Sequence, residues 1–221
     1  MRKFIHCHCV NQFVHAQVEG TNIRKGKLQL IGVSAMFLAS KVEEMFAPEI
    51  NDYAYITDSS FTTADIRQME LRILNSLQFN FSRPLPLHFL RRNSKAGDVD
   101  VLQHTVAKYL IEMTLVEYDM VHLPPSLIAA AALFFSLRLL EPNATLATTW
   151  GPTLQHYSTY NTQQILPVVC KLALAVTRRK ESKYQAVHNK YKLRKFMSVS
   201  TMAALKSEVV MKLAKNQLRN L

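Results

Sequence analysis

Residues 30–44, LIGVSAMFLASKVEE, align without a gap on residues 127–141, LIAAAALFFSLRLLE. Leu30 falls on Leu127, Ile31 on Ile128, Ala35 on Ala132, Phe37 on Phe134 and Lys41 on Arg138. In both copies small residues sit in the middle, where helix axes can approach closely, and Phe and Leu fill the spaces between neighbours. Two buried helices can share alanine and leucine by chance, but the unbroken register and similar downstream order favour a duplicated unit. The chain is therefore expected to fold as two helical bundles in tandem, each around a central apolar helix.

The rest of the sequence fits an all-α fold. Only 5 of 221 residues are glycine, so tight hairpins and glycine-rich phosphate loops are scarce, while helix formers dominate. An apolar ladder through Leu28, Ile31, Ala35, Leu38 and Val42 predicts a helix from Leu28 to Glu44 that ends before Pro48. A short helix follows over Glu49–Ile56, and Thr62 or Thr63 caps another whose ladder runs through Ile66, Met69, Ile73, Leu74 and Leu77. Pro84 and Pro86 stop that pattern. In the second half, Val99–Tyr118 reads as helix and Ser126 as the cap of a run to Glu141. Further helices are expected near Pro152–Tyr157, Thr162–Arg179 and Thr201–Lys215.

Several function classes are disfavoured. The segment GTNIRKGKL mimics a phosphate loop, but it has five residues between its glycines and Leu28 where Ser or Thr should meet the metal. No G-x-S-x-G elbow or H-E-x-x-H pair occurs, and Glu117 and Asp119, two residues apart, face different sides of a helix. In HLPPS a proline break separates His122 from Ser126, which marks a helix boundary better than a nucleophile pair. His6, Cys7, His8, Cys9 and His15 cluster near the start, yet no second spaced ligand pair follows, so neither metal nor cofactor is expected. The most apolar run, Leu127–Phe135, is too short to cross a bilayer. Three cysteines and no recognisable secretory leader fit a reduced, intracellular chain.

The net charge of +11 is concentrated at one end: from Arg178 to Leu221 the sequence carries twelve Lys/Arg against two Asp/Glu. Such a stretch can hold nucleic acid or an acidic partner, but it is more often a solvated helix surface.

Specific motifs then appear in order. KLQLIGVSAMFLASKVEEMFAPEINDYAYITDSSFTTADIRQMELRILNSLQFNFSRPLPLHFLRR, followed by HTVAKYLIEMTLVEYDMVHLPPSLIAAAALFFSL and TLQHYSTY, closely resembles the B-type mitotic cyclins from Lys27 to about Lys215. The resemblance implies two tandem cyclin folds. It divides the chain into an atypical segment at 1–26, a partial N-terminal cyclin fold at 27–83, a C-terminal fold at 84–181 and a basic helical tail at 182–221.

It also implies a non-catalytic regulatory subunit that binds and activates a cyclin-dependent protein kinase at the G2/M transition, working in nucleus and cytoplasm. By motif match, Lys41 and Glu70 bond to kinase backbone around its C-helix. Leu38, Val42, Leu74, Phe79 and Phe81 grip that helix, and Glu43 and Glu44 are rim charges. Leu28 and Gln29 are half of a substrate-docking groove, so kinase substrates are expected to dock weakly. The family's first helices are not recognisable before Gly26, where a remnant around Phe13–Val18 is the nearest match, so the first fold is expected to be incomplete. The alternative is a cyclin-fold transcription factor that grips nucleic acid with its basic tail.

Overall fold

Ordinary capping and stop chemistry sets the helix ends of the first unit. The computed structural model of the protein describes residues 25–81, 84–141, 143–179 and 181–219. Helices and turns account for all regular structure among the described residues, and the chain divides into two units after Arg83.

In the first unit, α1 runs over Leu28–Glu43, α2 over Ile50–Ile56 and α3 over Thr63–Ser76. The Glu44 N–H donates to the Ser40 carbonyl at 2.8 Å, closing α1, and Pro48 follows in the link to α2. Glu49 caps α2, its own N–H donating to the Asp52 carboxylate at 3.1 Å. Ile31, Ala35 and Leu38 of α1 are buried with Ile66, Met69 and Ile73 of α3, and the Ser34 hydroxyl donates to the Ile66 carbonyl at 3.5 Å.

Thr62 is the residue that starts α3. Its hydroxyl accepts from the Asp65 N–H at 3.2 Å, and its own N–H donates to the Asp65 carboxylate at 2.9 Å. The Thr62 hydroxyl and amide hold the Asp65 carboxyl below the usual carboxylate range. Thr62→Ala is expected to cost about 1 kcal/mol of stability at pH 7, read by urea unfolding. A depressed carboxyl stabilises the fold above its unfolded value and stops doing so as pH falls through its folded one, so the difference from wild type should shrink below about pH 4.

In the second unit, α4 spans Pro86–Ala96, α5 Val101–Met113, α6 Pro125–Leu140, α7 Leu146–Thr149, α8 Pro152–Ser158, α9 Thr162–Arg178, α10 Ala186–Tyr191 and α11 Glu208–Arg219. Helix α6 is the centre: Ala129–Ala132 are fully buried, and α4, α5 and α9 pack around it. The aligned stretches thus form the buried helix of each unit, with Ile31 and Ile128, Ala35 and Ala132, and Phe37 and Phe134 buried in both.

Three sequence readings need correction. Ser126 is not a cap: Pro124 occupies that position and Pro125 opens α6, where the missing proline N–H would have had no helical partner. The Ser126 hydroxyl instead pairs with the Tyr160 hydroxyl at 2.8 Å. The helix expected over Val99–Tyr118 is shorter, because Asp100 caps it by accepting from the Gln103 N–H at 2.6 Å and the chain tightens into 3-10 turns after Met113. The last helix begins at Glu208 instead of Thr201, preceded by 3-10 turns at Val199–Thr201 and Ala203–Lys206. Helix α11 packs along α9 and buries Val210 and Ala214. The segment around Phe13–Val18 and the His/Cys cluster at 6–15 lie outside the described residues.

Candidate functional site

Where the two aligned helices differ, the first carries a surface feature. Arg138 of α6 turns its guanidinium to the Ala144 carbonyl and is spent on its own loop. Lys41, the matching residue of α1, reaches across to α3 and donates to Glu70 Oε1 at 2.6 Å. The Lys41 side chain is 45% exposed and that of Glu70 13%.

Beneath this pair lies a relay that fixes it. The Lys41 ammonium sits 4.0 Å from the Phe37 ring centroid, a cation–π contact one helical turn back. The Phe37 ring is tilted against Tyr53 of α2 at 5.1 Å, and the Tyr53 hydroxyl donates to Ser40 Oγ at 2.8 Å. Ser40 in turn donates to the Phe37 carbonyl at 2.8 Å. All three helices therefore hold the lysine in place. Tyr53→Phe removes a buried hydrogen bond but keeps the ring packing, so a loss of about 1 kcal/mol is expected in thermal unfolding; a neutral result would mean that the hydroxyl does not brace this corner.

The pair has a defined chemical capacity. Lys41 uses one of its three donors on Glu70, and Glu70 keeps its second oxygen, so together they offer N–H donors beside a carboxylate acceptor. A neutral couple of this kind suits a peptide group, with a carbonyl for the lysine and an N–H for the glutamate. An open cleft of about 650 Å³ adjoins it, lined by Phe37, Lys41, Pro48, Ile50, Arg67 and Glu70 among others.

Apolar side chains flank the pair. Val42 is exposed, and Met45 and Phe46 in the loop after α1 are 92% and 84% exposed. Leu74, one turn along α3 from Glu70, is part-buried, whereas Leu38 is buried beneath the surface as core. Phe79 follows α3 with Gln78 and Phe79 both left-handed (φ 50° and 58°), which turns the Phe79 ring out to solvent. Phe81, Glu43 and Glu44 are part-buried. Leu28 and Gln29 are exposed at the first turn of α1, about 20 Å along the helix from Lys41 and so apart from the pair.

Sequence reading missed Phe37, Ser40, Tyr53 and Arg67 as parts of this site. Phe37 lies four residues before Lys41, a spacing that puts the two on one helix face. Nothing local marks Tyr53, because its contacts are tertiary. Among the described residues no group of His, Cys, Asp and Glu could hold a metal ion, and no helix is long and apolar enough to cross a membrane.

The chain is thus an all-helical protein of two bundles, in which the first carries a braced ion pair among exposed apolar side chains and the second has Arg138 at the aligned position, bound to its own loop. The sequence matches the family described as Cyclin, N-terminal domain over residues 5–82 and Cyclin, C-terminal domain over residues 84–205, and the chain belongs to the cyclin family. Its relatives include the G2/mitotic-specific cyclin-B of Patella vulgata, 53% identical over 188 residues that cover 85% of this chain and 45% of that protein. Another is the G2/mitotic-specific cyclin-B of Hydra viridissima, 48% identical over 211 residues that cover 96% of this chain and 52% of the relative. The chain thus spans about half the length of these curated relatives. Among solved structures, a viral cyclin from herpesvirus saimiri shares the fold with a TM-score of 0.59 at 18% identity, covering 79% of this chain and 85% of the other.

Proposed function

We propose that this chain is a regulatory subunit that binds a cyclin-dependent protein kinase, holds it in its active conformation and so controls the G2/M transition, without catalytic activity of its own. The carrying observation is the Lys41–Glu70 pair, braced by Phe37 and Tyr53 and bordered by exposed Val42, Met45 and Phe46. Kinship with proteins named G2/mitotic-specific cyclin-B supports the mitotic setting and, with it, the choice of a cyclin-dependent kinase as partner. In this reading Lys41 and Glu70 bond to backbone at the kinase C-helix, and Val42, Leu74, Phe79 and Phe81 pack on its apolar side. Leu38 supports that surface from below, and Glu43 and Glu44 form its rim.

The mechanism is differential affinity. A kinase is competent when its β3 lysine meets the C-helix glutamate, and a surface that fits only the inward C-helix favours that state. Moving the population from 1:99 to 99:1 takes about 5.5 kcal/mol of preference, within the reach of an interface with apolar anchors and desolvated charged hydrogen bonds. Gel filtration of the purified chain with a monomeric cyclin-dependent kinase provides the test: the two should elute as one complex, and separate elution at micromolar concentration would rule the reading out. We extend the reading to weak direct engagement of kinase substrates through Leu28 and Gln29, and to residence in both nucleus and cytoplasm, checked by imaging the tagged chain.

A further inference from the structure

The second unit carries a feature that kinase binding through α1 and α3 does not use. After α10 the chain makes a 3-10 turn at Arg194–Phe196, followed by two non-glycine residues in the left-handed region, Met197 at φ 53° and Ser198 at φ 49°. That conformation is costly for such residues and persists where the surroundings impose it. Here they do. The Met197 N–H donates to the Arg194 carbonyl at 2.8 Å, the Ser198 N–H to the Leu193 carbonyl at 3.3 Å, and the Ser198 hydroxyl to the Lys192 carbonyl at 3.0 Å. The Phe196 ring lies on the fully buried Tyr191 ring at 4.8 Å. Tyr191 is itself tied to Glu112 at 2.8 Å, and the same carboxylate takes the Lys190 ammonium at 2.5 Å.

The turn so fixed presents an unusual set of side chains. Leu193 is 50% exposed and Met197 40%, and Lys192, Arg194 and Lys195 are exposed around them. No ion pair among the described residues reaches any of these three cations. Backbone strain, exposed apolar side chains and positive charge without a carboxylate partner therefore coincide on one short turn, the Lys195 ammonium also lying 5.3 Å from the Phe196 ring centroid.

We propose that the turn at Lys192–Met197 is a docking surface for an acidic segment of another protein, one in which carboxylates flank an apolar side chain. The cations would attract and orient the acidic segment, while Leu193 and the adaptable Met197 thioether would take its apolar side chain. A rigid turn loses little freedom on binding. Nucleic acid is the poorer fit, because single strands stack on open aromatic rings and the aromatic here, Phe196, is engaged on Tyr191. A bilayer is poorer too, since interfacial binding uses a broad apolar helix face and this is a single turn.

The test is fluorescence anisotropy on the intact chain with a labelled peptide of glutamates interrupted by leucines. Comparators are the same peptide with serines for leucines, duplex DNA, and phosphatidylserine vesicles. Saturable binding of the leucine peptide is expected, weakened about tenfold by Arg194→Glu with Lys195→Glu and by a similar factor by Leu193→Ser with Met197→Ser. All four positions are exposed, and matching melting curves for the variants would show that folding is retained. No binding, equal binding of the serine peptide, unchanged affinity in either double variant, or tighter binding of DNA or vesicles would overturn the proposal.

Discussion

Glu70→Ala is expected to weaken the chain's binding to a cyclin-dependent kinase by about 2–5 kcal/mol while leaving its own melting temperature nearly unchanged. The asymmetry follows from burial. In the free chain the ion pair is partly in water, with Lys41 45% exposed, and pairs of that kind contribute at most about 1 kcal/mol to folding. Under a bound helix the pair is desolvated, and removing the carboxylate leaves both the lysine and a partner N–H without an acceptor. Lys41→Ala should lose a similar amount. The double variant should lose little more than either single one, because the two groups act as one unit. Titration calorimetry against the isolated kinase measures all three; additive losses, or no loss, would contradict the assignment.

The second large effect is on folding. Trp150, the sole tryptophan of the chain, is fully buried next to α7. Its indole N–H donates to the Tyr160 carbonyl at 3.0 Å, and its ring meets the edge of Phe134 on α6 with centroids 6.0 Å apart. The Tyr160 hydroxyl also pairs with Ser126 at the opposite end of that central helix. Trp150→Ala should therefore cost about 3–5 kcal/mol in urea unfolding followed by far-ultraviolet circular dichroism. A loss below about 1 kcal/mol would mean that the loop after α6 is not part of the second core.

Helix order and the two central helices were legible because their signals are local. The ladder of α1 and the Thr62 cap each rest on neighbours within about one turn, whereas α3 ends at Ser76, well before the expected stop at Pro84. Ser126 was misread for the same reason: a serine beside an apolar run looks like a cap unless the prolines before it are given the first turn. For the site, motif resemblance singled out Lys41 and Glu70, and the structure places them 2.6 Å apart although 29 residues separate them in sequence. Periodicity alone could not have paired them. The brace beneath was hidden because Tyr53 reaches Ser40 and Phe37 only after three helices have packed. Leu38 and Val42 show the remaining difficulty: both lie on the apolar ladder of α1, and only the packed neighbours bury the first and expose the second.

Phosphotransfer measured while the purified chain is titrated into an inactive monomeric cyclin-dependent kinase tests the central claim most directly. Activity should rise saturably by up to about a hundredfold, as a shift from about 1% to about 99% active population gives, and Glu70→Ala should move the curve to higher concentration. A kinase that stays inactive at saturating concentrations of the folded chain would contradict the account.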